Sequence, residues 1–183
     1  ARELSLSGIH SYYQTVVGDN PERLAACLSQ AIGRSDIVLL TGGLGPTQDD
    51  ITMAVAAQVA GLPLRLHEPS RAAILDYFQR MGRRQVTDNN WKQALVPEGG
   101  IVVDNENGTA PGIIMEKEGK HVILLPGPPN ELKPMFENQI YPYLNALEPG
   151  IIYSKTVKVC GVGESKAETM ISDLIDTQTN PTI

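Results

Sequence analysis

The chain has 183 residues, of which 42% are hydrophobic and 20% are charged, and its formal net charge at pH 7 is −6. This is an ordinary globular composition, and no apolar run approaches the roughly 20 residues of a membrane-spanning helix. The acidic balance argues against a nucleic-acid partner, because that role needs a basic face. We therefore expect a cytoplasmic protein that binds a small molecule and contacts neither nucleic acid nor membrane.

The first half of the chain alternates strand and helix patterns. Ile9 to Val17 has the alternation of a strand, and Pro21 opens an amphipathic helix that Gly33 ends. Asp36 to Leu40 contains the continuous apolar run of a strand buried on both faces of a parallel sheet. Further helices are predicted over Asp49–Ala60, from Pro69 onwards, and over Thr87–Leu95.

The second half predicts three short strands, over 101–104, 112–116 and 121–125, and then a helix over 130–144. The last two strands should form an antiparallel hairpin around Gly119. Strands alternating with helices predict an α/β fold, here a three-layer sandwich with a mostly parallel sheet. Such sheets bind ligands beyond the carboxyl ends of their strands.

A Pro-Gly break at 149–150 separates these elements from a new strand pattern over 151–160 and a helix pattern over 164–176. We therefore predict a first domain over residues 1–146 and the beginning of a small α+β domain over 147–183. The chain starts without Met, and Ala1 to Leu4 resembles the tail of a helix. We interpret the chain as a fragment.

The glycine-rich turn that follows the strand ending at Leu40 is the strongest functional signal. Its glycines allow the backbone to approach a ligand, and the next helix offers free N–H groups to an anion. A tight strand-to-helix turn also favours glycine for structural reasons alone, but three glycines and a proline in one turn favour a ligand site. The candidate binding residues are Gly42, Gly43, Leu44, Gly45, Pro46 and Thr47.

Two carboxylates, Asp49 and Asp50, follow this turn. A carboxylate beside a phosphate is repelled unless a cation lies between them, so we interpret the pair as candidate catalytic residues and ligands of a divalent metal. Two alternatives stay open at this point. One aspartate can hydrogen-bond a ribose or a pterin amide, or the pair can simply cap the helix.

Two more loops enter or leave predicted strands. The first consists of Gly108, Thr109, Ala110, Pro111 and Gly112, and the second contains Gly127, Pro128, Pro129 and Glu131. Either can be plain turn chemistry. Because all three loops adjoin ends of predicted strands, we expect them to form one binding cleft. Lys92 is a further candidate for a phosphate contact.

Four motifs occur together: Thr-Gly-Gly-Leu-Gly-Pro-Thr-x-Asp-Asp, Asn-x-Lys-Gln-Ala, Gly-Thr-Ala-Pro-Gly and Leu-Pro-Gly-Pro-Pro-x-Glu. In this order they resemble the N-terminal part of the CinA family of competence/damage-inducible proteins. The resemblance implies that residues up to about 146 adopt the molybdopterin-binding fold shared with MogA and MoaB, with its first strand missing before Ala1. It also implies that a KH-like domain begins near Ile151.

The resemblance further implies metal-dependent hydrolysis of ADP-ribose, as part of the recycling of NAD-related nucleotides. Asp50 matches the aspartate that the related molybdopterin enzymes need, and Asp19 matches a second acidic position of the family. Full-length members often add a nicotinamide mononucleotide deamidase domain, an amidase activity not expected from this chain. The alternatives are a non-catalytic module that binds molybdopterin or a nucleotide, and a homo-oligomeric assembly domain for the deamidase.

Overall fold

The computed structural model describes residues 2–6, 8–83, 85–147 and 155–179. The chain divides into two compact units, Ala1–Gly150 and Ile151–Ile183. The helices of the first unit are α1 (Arg2–Leu6), α2 (Pro21–Arg34), α3 (Thr52–Ala60), α4 (Glu68–Arg80), α5 (Pro129–Met135) and α6 (Tyr141–Leu147), with a 3-10 helix over Asp88–Ala94 and a π-helical turn over Phe136–Ile140. Its strands are β1 (Ile37–Thr41), β2 (Leu64–Leu66), β3 (Leu95–Pro97), β4 (Ile101–Val103), β5 (Gly112–Lys117) and β6 (Lys120–Leu125).

The main sheet has the strand order β1-β6-β5-β4, and β2 pairs with β3 in a separate two-stranded sheet. β1 and β6 are parallel, with Val38 opposite Val122, whereas β5 is antiparallel to both of its neighbours. The expected α/β class is confirmed, and so is the hairpin, but the described sheet is mixed rather than mostly parallel. The connections from β4 to β5 and from β5 to β6 contain no helix, and parallel strands need a longer crossover connection.

Helices cover both faces of the main sheet. Alternate residues of β6 point to opposite faces, so that Val122 and Leu124 belong to one cluster of buried residues and Ile123 and Leu125 to another. The first cluster includes residues of α2 and α3, and the second includes residues of α5, the π-helical turn and α6. The sandwich therefore has the three expected layers, each face of the sheet being buried by apolar helix residues.

In the first unit, one predicted strand is absent and one predicted helix begins later than expected. Ile9 to Val17 forms no strand, and Tyr12 and Val16 are 79% and 101% exposed, because none of the described strands pairs with this segment. The helix predicted from Asp49 begins at Thr52. Its first residue is fixed by the preceding loop, since the Thr52 amide donates a hydrogen bond to the Gly43 carbonyl at 3.0 Å.

In the second unit the structure describes residues 155–179. They contain α7 (Glu164–Met170) and α8 (Ser172–Thr177), neither of which has a buried residue. The single helix predicted over 164–176 is interrupted at Ile171, whose φ and ψ are −117° and 13°. The strand predicted over 151–160 lies partly outside the described residues, and residues 155–160 form no strand. The KH-like character of this unit stays a prediction.

None of the helices in the described part of the chain is both long and apolar enough to cross a membrane.

Ile123 tests the two-sided burial of β6. Its side chain is fully buried at the centre of the sheet, so Ile123→Ala should lower the free energy of unfolding by about 3 kcal/mol. Ile101→Ala removes the same atoms from a side chain that is 55% exposed and should cost far less. Urea unfolding of both variants checks this, and equal losses would contradict the described core.

Candidate functional site

The three predicted loops surround one cleft with a volume of about 350 Å³. Two of these loops begin where the parallel strands β1 and β6 end, and the third leads into β5. The expected convergence of the loops is therefore confirmed. The predicted site residues that line the cleft are Gly42, Gly43, Leu44, Gly45, Pro46, Asp50, Gly108, Thr109, Ala110, Gly127, Pro128 and Glu131.

The other predicted site residues do not line this cleft: Asp19, Thr47, Asp49, Lys92, Pro111, Gly112 and Pro129. Asp19 and Asp49 are exposed. Lys92 is engaged elsewhere, because its ammonium donates hydrogen bonds to the backbone carbonyls of Thr47 and Asp50. Gly112 belongs to β5, where an added Cβ would lie 2.9 Å from the Leu124 carbonyl oxygen. Its lack of a side chain is explained by sheet packing.

The glycine loop, residues 42–47, is held at both ends by backbone hydrogen bonds. The Gly42 amide donates to the Leu125 carbonyl at 2.9 Å, and the Gly43 carbonyl accepts from Thr52 at 3.0 Å. Gly42 and Gly43 have φ values of 94° and 68°, in the region that favours glycine. A Cβ on Gly43 would also meet the Thr52 side chain. We therefore expect Gly43→Val to disturb the start of α3, rather than only to fill ligand space.

The N–H groups of Gly43, Leu44 and Gly45 donate to no acceptor among the described residues. All three residues line the cleft, and the next residue, Pro46, has no N–H group. Successive free amides in a glycine-rich turn form a concave anion-binding site.

Asp50 lies between the loop and the cleft. Its Oδ2 accepts hydrogen bonds from the Thr47 amide at 2.9 Å and the Thr47 hydroxyl at 2.6 Å. The carboxyl group packs on Gly45, where an added Cβ would be 2.9 Å from the carboxyl carbon. Oδ1 accepts no hydrogen bond from the residues that the structure describes. Asp50 thus closes the loop with one oxygen and leaves the other available.

Asp49 has a different environment. The neighbouring Thr47 hydroxyl is the main reason that the pKa of its carboxyl is lowered, with the Lys92 ammonium making a smaller contribution. Asp49 is therefore ionised at neutral pH, but on the exposed side of the turn. We predicted that Asp49 and Asp50 act together as metal ligands, whereas in the structure only Asp50 lines the cleft.

The second carboxylate of the cleft belongs to Glu131, at the start of α5. Asn105 donates from Nδ2 to Glu131 Oε2 at 2.7 Å and to the Ala110 carbonyl at 2.8 Å. An added Cβ on Gly108 would lie 2.5 Å from the carboxyl carbon of Glu131, so glycine makes room for this group. Among the described residues that line the cleft, two are carboxylates and none is Lys, Arg or His.

Sequence reasoning missed two residues of the cleft, Tyr77 and Gln93, whereas Pro126 belongs to the third predicted loop. Gln93 is buried, and its Nε2 donates to the Leu44 carbonyl of the glycine loop at 3.2 Å. Gln93 adjoins Lys92 in the Asn-x-Lys-Gln-Ala motif. The motif therefore indicated a binding segment, but it did not indicate which of the two side chains lines the cleft. The Tyr77 hydroxyl donates to the Asn107 carbonyl at 3.4 Å.

Residues 1–146 match the family model described as "Probable molybdopterin binding domain". Over all 183 residues the chain is 53% identical to the "CinA-like protein" of Dictyoglomus turgidum and 52% identical to the "Putative competence-damage inducible protein" of Clostridium beijerinckii. The crystal structure of "the protein CinA with unknown function from Thermoplasma acidophilum" matches with a TM-score of 0.68 and 33% identity, covering 74% of this chain and 79% of that one. The chain belongs to the CinA family.

This membership confirms the expected molybdopterin-binding-like fold of the first unit. The CinA-like chain spans 44% of the length of the Dictyoglomus and Clostridium relatives.

Gly45 tests the contact between the loop and Asp50. Gly45→Ala places a methyl group against the Asp50 carboxylate, which must move and weaken its two hydrogen bonds to Thr47. We expect a stability loss of about 1–2 kcal/mol. Gly33→Ala in α2 is the control, since an added Cβ there meets nothing within 4 Å. Thermal unfolding compares the two, and an unaffected Gly45→Ala variant would contradict this packing.

Proposed function

We propose that this CinA-like chain binds the diphosphate of ADP-ribose at the glycine loop and hydrolyses it with the help of a divalent metal ion. One observation carries the proposal: three amides without a partner among the described residues belong to the lining of a cleft that contains two carboxylates and, among its described lining residues, no cationic side chain. The amides favour an anion, whereas Asp50 and Glu131 repel one. A metal ion between phosphate and carboxylate reconciles the two.

The residues fit a metal ion that is shared with the substrate. The described residues contain no group of three or more His, Cys, Asp or Glu side chains that could hold a metal by themselves. Mg²⁺ commonly binds through one or two carboxylates together with substrate phosphates. Asp50 would supply Oδ1, because its Oδ2 is already bonded to Thr47. When bound, the metal would polarise the phosphorus and lower the pKa of the attacking water.

The chain's own groups would orient the reaction. The amides of residues 43–45 would hold phosphoryl oxygens, and the backbone keeps this shape before the ligand arrives. Water oxygen bonds to one phosphorus as the bond from that phosphorus to the bridging oxygen breaks. The bridging oxygen leaves with the bonding electrons, and the two protons of the water pass to the phosphate products or to solvent. The products are AMP and ribose 5-phosphate.

A non-catalytic module for a nucleotide or pterin ligand is the second candidate. One observation favours it: the two hydrogen bonds from Thr47 already give the Asp50 carboxylate a structural role. In that case the free amides would still bind a phosphate, but no metal would be needed at Asp50.

Incubation with ADP-ribose and Mg²⁺ or Mn²⁺ separates the candidates. We expect AMP and ribose 5-phosphate in equal amounts, detected by chromatography, and their loss when EDTA removes the metal. ADP-ribose binding without either product would favour the non-catalytic module. Absence of binding as well would contradict both.

Asp50→Asn tests the role of the charge. The amide oxygen of Asn can still accept from Thr47, but the negative charge for a metal is lost. We expect ADP-ribose hydrolysis to fall on the order of a thousandfold while stability changes little. Asp49→Asn, one residue away and exposed, is the matched control and should retain most of the rate. If Asp50→Asn hydrolyses normally, Asp50 only closes the loop.

A further inference from the structure

A second cleft adjoins the first at Glu131. Its volume is about 190 Å³, and Glu131 lines both clefts. The other walls belong to the 104–107 segment, to α5 and to the π-helical turn. The carboxyl group of Glu131 lies at the boundary itself, because its Oε2 accepts from Asn105 of the second cleft at 2.7 Å and its carboxyl carbon packs against Gly108 of the first.

The walls of the second cleft are joined by hydrogen bonds within the protein. The Gln139 side chain exchanges two of them with the backbone of Asp104, since Nε2 donates to the carbonyl at 2.8 Å and Oε1 accepts from the amide at 2.9 Å. Asn107 donates from Nδ2 to the Asn130 carbonyl at 2.9 Å. The cleft is therefore formed before a ligand arrives, as small-molecule sites usually are.

The π-helical turn is the irregular element of this wall. Pro134 lies inside α5 and has no N–H to donate, and the π-helical turn over Phe136–Ile140 follows directly. Single turns of this kind occur frequently at functional sites. Here the turn contains Asn138 and Gln139, which both line the second cleft.

The chemistry of the lining favours a neutral ligand group that carries hydroxyls. The polar side chains are carboxylates and primary amides, and none of the described lining residues is Lys, Arg, His or aromatic. Carboxylate and amide oxygens accept hydrogen bonds from hydroxyls, and amide nitrogens donate to them. A phosphate would be repelled by the carboxylates, and an aromatic base would find no ring on which to stack. A carboxylate that binds ribose hydroxyls is a recurrent feature of dinucleotide sites.

We propose that the second cleft is a sugar subsite, which binds the terminal ribose of ADP-ribose while the diphosphate lies at the glycine loop. Glu131, at the boundary, would accept hydrogen bonds from the hydroxyls of this ribose. The first cleft, at about 350 Å³, is at the lower end of the roughly 300–1,000 Å³ of small-molecule sites. A ligand with an arm on each side of its diphosphate needs further space, and the terminal ribose is the arm without a base. This inference rests on the proposed binding of the diphosphate at the glycine loop.

The test compares two probes that resist hydrolysis, on the intact protein with Mg²⁺, by calorimetry. One is the α,β-methylene analogue of ADP-ribose, and the other carries a methyl ester in place of the terminal ribose, so that both have the same charge. We expect the ribose-bearing probe to bind about tenfold more tightly. Asn138→Trp should remove this preference by filling the second cleft from an exposed position, with the affinity for the methyl ester retained. Glu137→Trp, in the same turn but outside the cleft lining, is the matched control and should keep the preference.

Glu131→Gln tests the boundary carboxylate with almost no change of shape. Its amide oxygen can still accept from Asn105, but the charge that strengthens hydrogen bonds from the ribose is lost. We expect the preference for the ribose-bearing probe to fall on the order of fivefold. Glu137→Gln removes the same charge from an exposed residue outside the lining and should leave the preference unchanged. Circular dichroism verifies that each variant is folded.

The outcomes separate this inference from the proposed hydrolysis. If folded Asn138→Trp weakens both probes equally, or neither, the second cleft holds no ribose and the inference is overturned, even if the wild-type protein hydrolyses ADP-ribose. If the preference depends on Asn138 and Glu131 but ADP-ribose yields no AMP, the subsite stands and the hydrolysis fails. Binding of neither probe to the wild-type protein overturns both proposals.

Discussion

The hydrogen bond from the Gly42 amide to the Leu125 carbonyl is the constraint on which the cleft depends. It extends the pairing of β1 with β6 by one step and brings the two following loops together. The approach is close, since an added Cβ on Gly127 would be 3.4 Å from the Gly42 Cα. Both strands are buried between helix layers, so the ends of the loops are fixed by the core rather than by a ligand.

This arrangement gives the carbonyls and the amides of the glycine loop different hydrogen-bonding roles. Gln93 holds the Leu44 carbonyl, Lys92 holds the carbonyls of Thr47 and Asp50, and Thr52 holds that of Gly43. In the proposed function, the amides of this loop rather than cationic lining residues supply the positive partial charge that an anion needs, in keeping with a chain whose net charge is −6.

The carboxylates give the cleft its chemical character. Asp50 and Glu131 are each fixed through one oxygen, by Thr47 and by Asn105, and both groups fit against glycines that leave space for them. A rigid carboxylate next to an anion-binding loop favours a ligand that arrives with a cation. The chain belongs to the CinA family, and the proposed hydrolysis gives the carboxylate charge a role.

The sequence by itself determined most helices of the first unit, the β5–β6 hairpin and the loops of the cleft, because periodicity, caps and glycine turns are local signals. Only the tertiary structure decided that Asp50 rather than Asp49 faces the cleft, and that Gln93 rather than Lys92 lines it. It also decided that Ile9 to Val17 forms no strand among the described residues. The side chains of neighbouring residues in a turn point in different directions. Contacts with residues that are distant in sequence fix each of these directions. Gln93, for example, is held by a carbonyl 49 residues away.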